Sequence, residues 1–187
     1  MLDIFTDQQL HEPEANGKNY LVVHGENEFS FSSKLGDLIE KIEPGKTVHW
    51  VSAGDWSMHE MLVAFIAKTG PADVIISSYA FSETPTRVLA SLIDDGLIKS
   101  LTCIIDSRVD TRSASALAML RNCADDMLLT ATHAKVTIVE GDYLSYAIVG
   151  SANYTVNKRF EAGIITDCKE AISFHKKWIN DAFIRAE

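Results

Sequence analysis

The sequence predicts an α/β fold with a mixed, mostly parallel sheet and helices on both faces. Three observations carry this reading. Between residues 73 and 131, β-branched apolar runs alternate with stretches whose apolar residues recur at helical spacing, the pattern of strands linked by helices. Between residues 133 and 166, strand-like runs follow one another with no helical stretch between them, so the sheet is mixed. The composition, 47% hydrophobic and 23% charged, is that of an ordinary globular chain. The 187 residues suffice for one domain that buries about 70% of its unfolded surface.

Residues 1–18 are polar and aperiodic, with Pro13 and Gly17 marking a turn or loose arm. Tyr20 to Val23 and Phe29 to Phe31 read as short strands around the polar Gly25-Glu26-Asn27-Glu28. Leu35, Leu38, Ile39 and Ile42 fall at helical spacing, ended by Pro44-Gly45. Thr47 to Ser52 is the next strand. Ser57 with Glu60 forms a capping box that opens a helix carrying Met61, Leu62, Phe65 and Ile66. Asp73 to Tyr79 is a strand, and Thr84-Pro85 supplies an N-cap and a first-turn proline for a helix to Ile93. Ile98 to Ile105 is a strand, Asp110 or Thr111 caps one helix running through Leu120, and Met127 to Ala131 is a short strand. After His133 come strands over 133–140, 146–149 and 162–166, then a closing helix from Glu170 to Ile184.

Charge and cysteine usage bound the function. The net charge is −9, and residues 1–45 hold nine acids against three bases while 46–187 hold seventeen against fourteen. We therefore divide the chain into an acidic N-terminal extension, 1–45, and a main domain, 46–187. A non-specific nucleic-acid binder normally carries a basic footprint, which this total does not provide. Cys103, Cys123 and Cys168 are odd in number and mostly within apolar runs, which reads as buried free thiols in a reducing cytosol. The N-terminus lacks a basic region followed by an apolar core, and no apolar run reaches the roughly 18 residues of a membrane helix. The expectation is a cytoplasmic protein with no integral membrane association.

Several sites reduce to plain readings. Gly45-Lys46-Thr47 lacks the glycine five residues earlier that a phosphate loop needs, and a strand follows it. His59-Glu60 has Val63 where a zinc-protease helix needs a second histidine, and no Cys/His cluster occurs elsewhere, so no metal or other cofactor is expected. Trp50 and Trp56 could stack on a base but read more simply as core or interface.

The chemistry concentrates between His133 and Glu161. In a strand over 133–140, side chains alternate, so His133, Lys135, Thr137 and Val139 share one face while Glu140 lies on the other. The run Tyr146 to Val149 leads into Gly150-Ser151-Ala152-Asn153, where Ser151 and Asn153 are again two apart. If the two strands are neighbours, an imidazole, an ammonium, a hydroxyl and an amide converge on one spot, a set suited to a phosphate.

This pattern resembles the signature of the phospholipase D superfamily: H-x-K at His133 and Lys135, an acid after four further residues, then G-S-x-N at Gly150, Ser151 and Asn153. Glu140 stands where the family usually has Asp. Upstream, Asp73 to Asp106 is similar to the strand-helix-strand that precedes the motif, so the resemblance covers roughly residues 70–187. It implies a phospholipase D-like phosphodiesterase domain in which His133 is the nucleophile, forming a phosphohistidine that water later cleaves. By the same resemblance, Lys135 and Asn153 bind phosphoryl oxygens with Ser151 assisting, and Glu161 holds the other ring nitrogen of His133. The family works without a metal. Larger members carry two motifs in one chain and this chain carries one. In-line displacement needs a general acid opposite the nucleophile, so a symmetric homodimer with one composite site is expected. Tyr143, Tyr146 and Tyr154 are candidates for that contact or for the core. Three classes of function stay open: a nuclease, favoured because small single-motif relatives are nucleases; a phospholipase, disfavoured for want of an interfacial basic amphipathic helix; and a regulatory module that binds phosphate without turnover.

Overall fold

A computed structural model describes Tyr20–Val23, Ser30–Phe31 and residues 35–40, 42–156 and 158–186. The polar arm expected over residues 1–18 and the turn at 25–28 lie outside the described residues. In chain order the elements are β1 (Tyr20–Val23), β2 (Ser30–Phe31), α1 (Leu35–Glu40), β3 (Val48–Ser52), α2 (Met58–Thr69), β4 (Ala72–Ser78), α3 (Glu83–Asp94), β5 (Ile98–Asp106), α4 (Val109–Arg112), α5 (Ala114–Cys123), β6 (Asp126–Thr130), β7 (Val136–Gly141), β8 (Ser145–Gly150), β9 (Glu161–Thr166) and α6 (Lys169–Ile184).

The nine strands described form one sheet in the order β2-β1-β3-β9-β8-β7-β4-β5-β6. The sheet is mixed and carries helices on both faces, but it is mostly antiparallel rather than mostly parallel. Among these strands, only β4–β5 and β5–β6 run parallel. A parallel neighbour requires a crossover of a dozen or more residues, and the chain supplies two, through α3 and through α4–α5. Beyond β6 the links are too short. There β7 runs antiparallel to β4, β8 to β7 and β9 to β8, while β3, from much earlier in the chain, runs antiparallel to β9.

Period-two alternation sends successive side chains to opposite faces. On one face Val74, Ile76, Cys103, Ile105, Val139 and Tyr146 meet α1, α2, α3 and α5 through Leu38, Leu62, Phe65, Leu89 and Leu117. On the other, Ile104, Val136, Ile138 and Ala147 meet Ile172 and Ile179 of α6. Since Leu38 and Ile39 of α1 enter the larger core and β1 pairs with β3, the described part of residues 1–45 is built into the same sheet and core as 46–187.

Local departures from the expected elements have physical causes. The capping box of α2 forms, with the Ser57 amide donating to Glu60 Oε2 at 2.8 Å. Helix α3 begins two residues earlier than expected, with Ser82 rather than Thr84 as N-cap; Pro85 then sits third in the helix, where its missing amide costs no intrahelical bond. The single helix expected through Leu120 is two helices, because Ser113 at φ −152°, ψ 54° breaks the helical path between α4 and α5. Trp50 and Trp56 are core, with ring centroids 5.1 Å apart. Gly163 makes room for Trp50 and for the neighbouring strand: a Cβ there would collide with the Val149 carbonyl oxygen and stand 2.7 Å from the indole Cζ2. Of the three free cysteines only Cys103 is buried, while Cys123 is half-buried and Cys168 is exposed at the start of α6. Tyr146 and Tyr154 are buried in the core, which removes them as contact residues for a second copy, and Tyr143 is 96% exposed at the far end of the sheet. No helix among the described residues is long and apolar enough to cross a membrane.

Candidate active site

The motif residues gather at one end of the sheet. Strand β7 starts at Val136, so His133 and Lys135 lie just before it rather than within it. Both ladders of β7 run out at Val136, which is paired with Ser77 of β4 and Val149 of β8. Two further bonds still hold the segment: the Gly150 amide donates to Lys135 O at 3.2 Å, and Ser77 Oγ to Ala134 O at 3.3 Å. The expected neighbouring of the two motif segments is therefore met by backbone pairing, with His133 exposed to solvent.

Lys135 Nζ lies 3.0 Å from His133 Nδ1 and donates to the His133 carbonyl at 2.7 Å. An ammonium has only hydrogens to offer, so the ring nitrogen facing it presents its lone pair. Burial pushes the Lys135 ammonium below the ordinary lysine range, and the charge of Glu161 partly opposes that. Ser151 Oγ donates a short hydrogen bond to Glu161 Oε2 and accepts from the Ala162 amide at 3.1 Å. Glu161, expected on the other ring nitrogen of His133, takes the Ser151 hydroxyl here and bears on Lys135 by charge. Asn153 Oδ1 accepts from Ser78 Oγ at 3.3 Å, which holds the amide oxygen against β4 and leaves the NH2 group for a ligand. Glu140 sits on the opposite face and pairs with Lys176 of α6 at 2.5 Å, the structural role that strand alternation assigns it.

Sequence reasoning missed a second group at this end. Tyr79, just past β4, packs its ring against His133, with centroids 4.7 Å apart and the planes tilted by 51°. The Arg108 guanidinium lies 4.8 Å, that of Arg112 5.3 Å and Lys135 Nζ 5.5 Å from the same ring centre. Arg112 Nη1 donates to the Tyr79 hydroxyl at 2.6 Å. Arg108 is held by Asp106, through Nε to Oδ1 at 2.6 Å and Nη2 to Oδ2 at 2.9 Å. Asp106 is fully buried, and its hydrogen bonds from Arg108, with help from the Thr132 amide, hold its carboxyl well below the usual carboxylate range. The only sequence signal was an aspartate ending a buried strand with a cation two residues on. Among the described residues, no group of three or more His, Cys, Asp or Glu stands where it could hold a metal ion.

No protein-family model matches the chain, and neither does any curated protein. Among solved structures it is similar to the polyphosphate kinase of Porphyromonas gingivalis, with a TM-score of 0.47 and 10% identity over 81% of this chain and 23% of that one. The chain spans under a quarter of that kinase, and a likeness this distant carries no argument about activity.

Proposed function

We propose that this chain is a metal-independent phosphodiesterase of the phospholipase D type that cleaves nucleic acid through a covalent phosphohistidine. The observation that supports this most is the union of His133, Lys135, Ser151, Asn153 and Glu161 at one solvent-open end of the sheet, in backbone register through Lys135 and Gly150. In the free protein Lys135 occupies the His133 lone pair. An incoming phosphate draws the ammonium onto its own oxygens and releases the ring for attack. Asn153 presents amide hydrogens to a second oxygen, and the Ser151 hydroxyl assists by turning its one proton from Glu161 to the phosphate. The imidazole nitrogen bonds to phosphorus as the P–O bond to the leaving group breaks, and the departing oxygen takes a proton. Water then attacks phosphorus, the P–N bond breaks, and a phosphate monoester leaves with the imidazole restored.

The departing oxygen lies opposite His133, where the same ring cannot reach. A second copy of this chain, related by a two-fold axis beside the site, would supply its own His133 as general acid, worth roughly 10²–10⁴ in rate. His133→Ala should abolish hydrolysis of single-stranded oligonucleotide while excess EDTA leaves it intact; loss in EDTA, restored by a divalent ion, overturns the metal-free assignment. Co-refolding equal amounts of wild type and His133→Ala separates the dimer arrangements. With random pairing in a two-fold dimer, composite sites retain about a quarter of the all-wild-type activity and independent sites about half. A monomer at assay concentration defeats the two-histidine scheme.

A further inference from the structure

Three cations converge on the Tyr79 ring in a chain whose net charge is −9. Like charges held this close repel, and the ring quadrupole at an exposed site offsets only part of that. Asp106 is committed to Arg108 and to the backbone amides of Arg108 and Thr132. Among the described residues no carboxylate pairs with Arg112. It spends one N–H on the Tyr79 hydroxyl and keeps the rest of its planar fork, the donor geometry that suits a phosphate.

The backbone explains how the group is assembled. Val109 is buried and anchors α4, and the break at Ser113 ends that helix with Arg112 beside β4 rather than carrying it on along α5. The ends of β4 and β5 are level, with Ser78 opposite Ile105, and β7 flanks β4 on its other side with Val136 opposite Ser77. From the line of β7 to that of β5 is two strand spacings, about 10 Å. Tyr79 spans this gap, touching His133 at one side and the arginines at the other. The adjoining nucleotide of a substrate whose scissile phosphate is at His133 can bring its own phosphate there.

We propose that Arg108 and Arg112, gathered over Tyr79, form a second phosphate subsite that selects polynucleotides in which another phosphate neighbours the one being cleaved. This rests on the phosphodiesterase reading of His133, which the following test keeps separate. Wild type and Arg112→Ala are compared on a single-stranded oligothymidylate and on a bis-aryl phosphate diester, which has no neighbouring phosphate. The variant should lose about tenfold or more in kcat/KM on the oligonucleotide, the effect of one charge-assisted hydrogen bond, and hydrolyse the small diester like wild type. Arg112→Lys should recover part of the loss. An equal fall on both substrates, or no fall on either, overturns the subsite. If wild type hydrolyses neither substrate, the phosphodiesterase reading fails, and binding still decides the subsite. In a His133→Ala background, Arg112→Ala should flatten the slope of log Kd against log salt by about 0.7, one single-strand phosphate contact. An unchanged slope, or no binding of the oligonucleotide, overturns it.

Discussion

The two ends of the sheet differ in what they do with charge. At the end bearing His133, cations face solvent around a common ring, and a buried acid, Asp106, serves to hold Arg108 in place. At the other end stand Asp73, Asp125, Asp126, Asp142 and Asp167, on or beside the starts of β4 and β6 and the ends of β7 and β9. Each end has an ion pair that makes the contrast concrete. Asp106–Arg108 has its carboxylate at 0% exposure, while Lys99–Asp142 leaves its partners 40% and 71% exposed. The first is built into the fold and the second is a solvated surface pair. A net charge is a sum over both ends, so it says little about the field at either. Along the six residues of β7 the ends are about 20 Å apart, more than two Debye lengths of about 8 Å in physiological salt. The acidic total therefore does not exclude a polyanionic substrate.

Breaking the built pair should have the larger effect. Asp106→Asn removes charge-assisted bonds to Arg108 and to the Thr132 amide, and should cost about 1–3 kcal/mol by chemical denaturation at neutral pH. The estimate sits below a fully buried pair because Arg108 is 55% exposed and water screens its share. The sign of the pH dependence follows from the depressed carboxyl. A folded-state value below the unfolded one stabilises above the unfolded pKa of about 3.9 and fades as pH falls toward the folded value. The wild-type and Asp106→Asn stability curves should thus separate above pH ~4 and converge in stronger acid. Parallel curves across that range would show that the ionised pair is not what holds this end together.

The smaller effect sharpens the comparison from the far end. Asp142→Asn changes net charge by one unit, as Arg112→Ala does in the opposite direction. It should leave both the thermal midpoint and the oligonucleotide salt slope where they are in wild type, since the pair is exposed and the site lies beyond screening range. If Asp142→Asn strengthens binding as much as Arg112→Ala weakens it, total charge governs and the distinction between the ends fails.

How much of this was legible in the sequence follows from how far apart the contributing residues lie. His133, Lys135, Ser151, Asn153 and Glu161 fall in or directly beside one antiparallel run, β7 to β9, where neighbours in sequence are neighbours in space and period-two alternation sorts the faces. Glu140 was placed correctly on the opposite face by that rule alone. Ser78, Tyr79, Arg108 and Arg112 lie 21 to 55 residues before His133, at the end of β4, just past it and in or beside α4, and reach it only because β4 lies between β7 and β5, a matter of strand order that no local pattern states. The direction of the sheet was misjudged for a related reason. The β4-α3-β5-α4-α5-β6 segment is a sound parallel unit, but β3 joins the sheet beside β9, more than a hundred residues later in the chain. The reading of Trp50 as core or interface resolves to core, and what the sequence does not show is that Gly163, 113 residues later, makes room for its ring.

The covalent role of His133 can be tested directly. Wild-type protein is mixed in excess with single-stranded oligonucleotide carrying a radiolabel at its internal phosphates, quenched with alkaline denaturant during the first turnover, and digested. The label should appear on the peptide containing His133 and Lys135, decay at the rate of product formation, and be absent from His133→Ala. Turnover of the oligonucleotide with no label on that peptide, or label that persists in His133→Ala, would contradict the phosphohistidine mechanism.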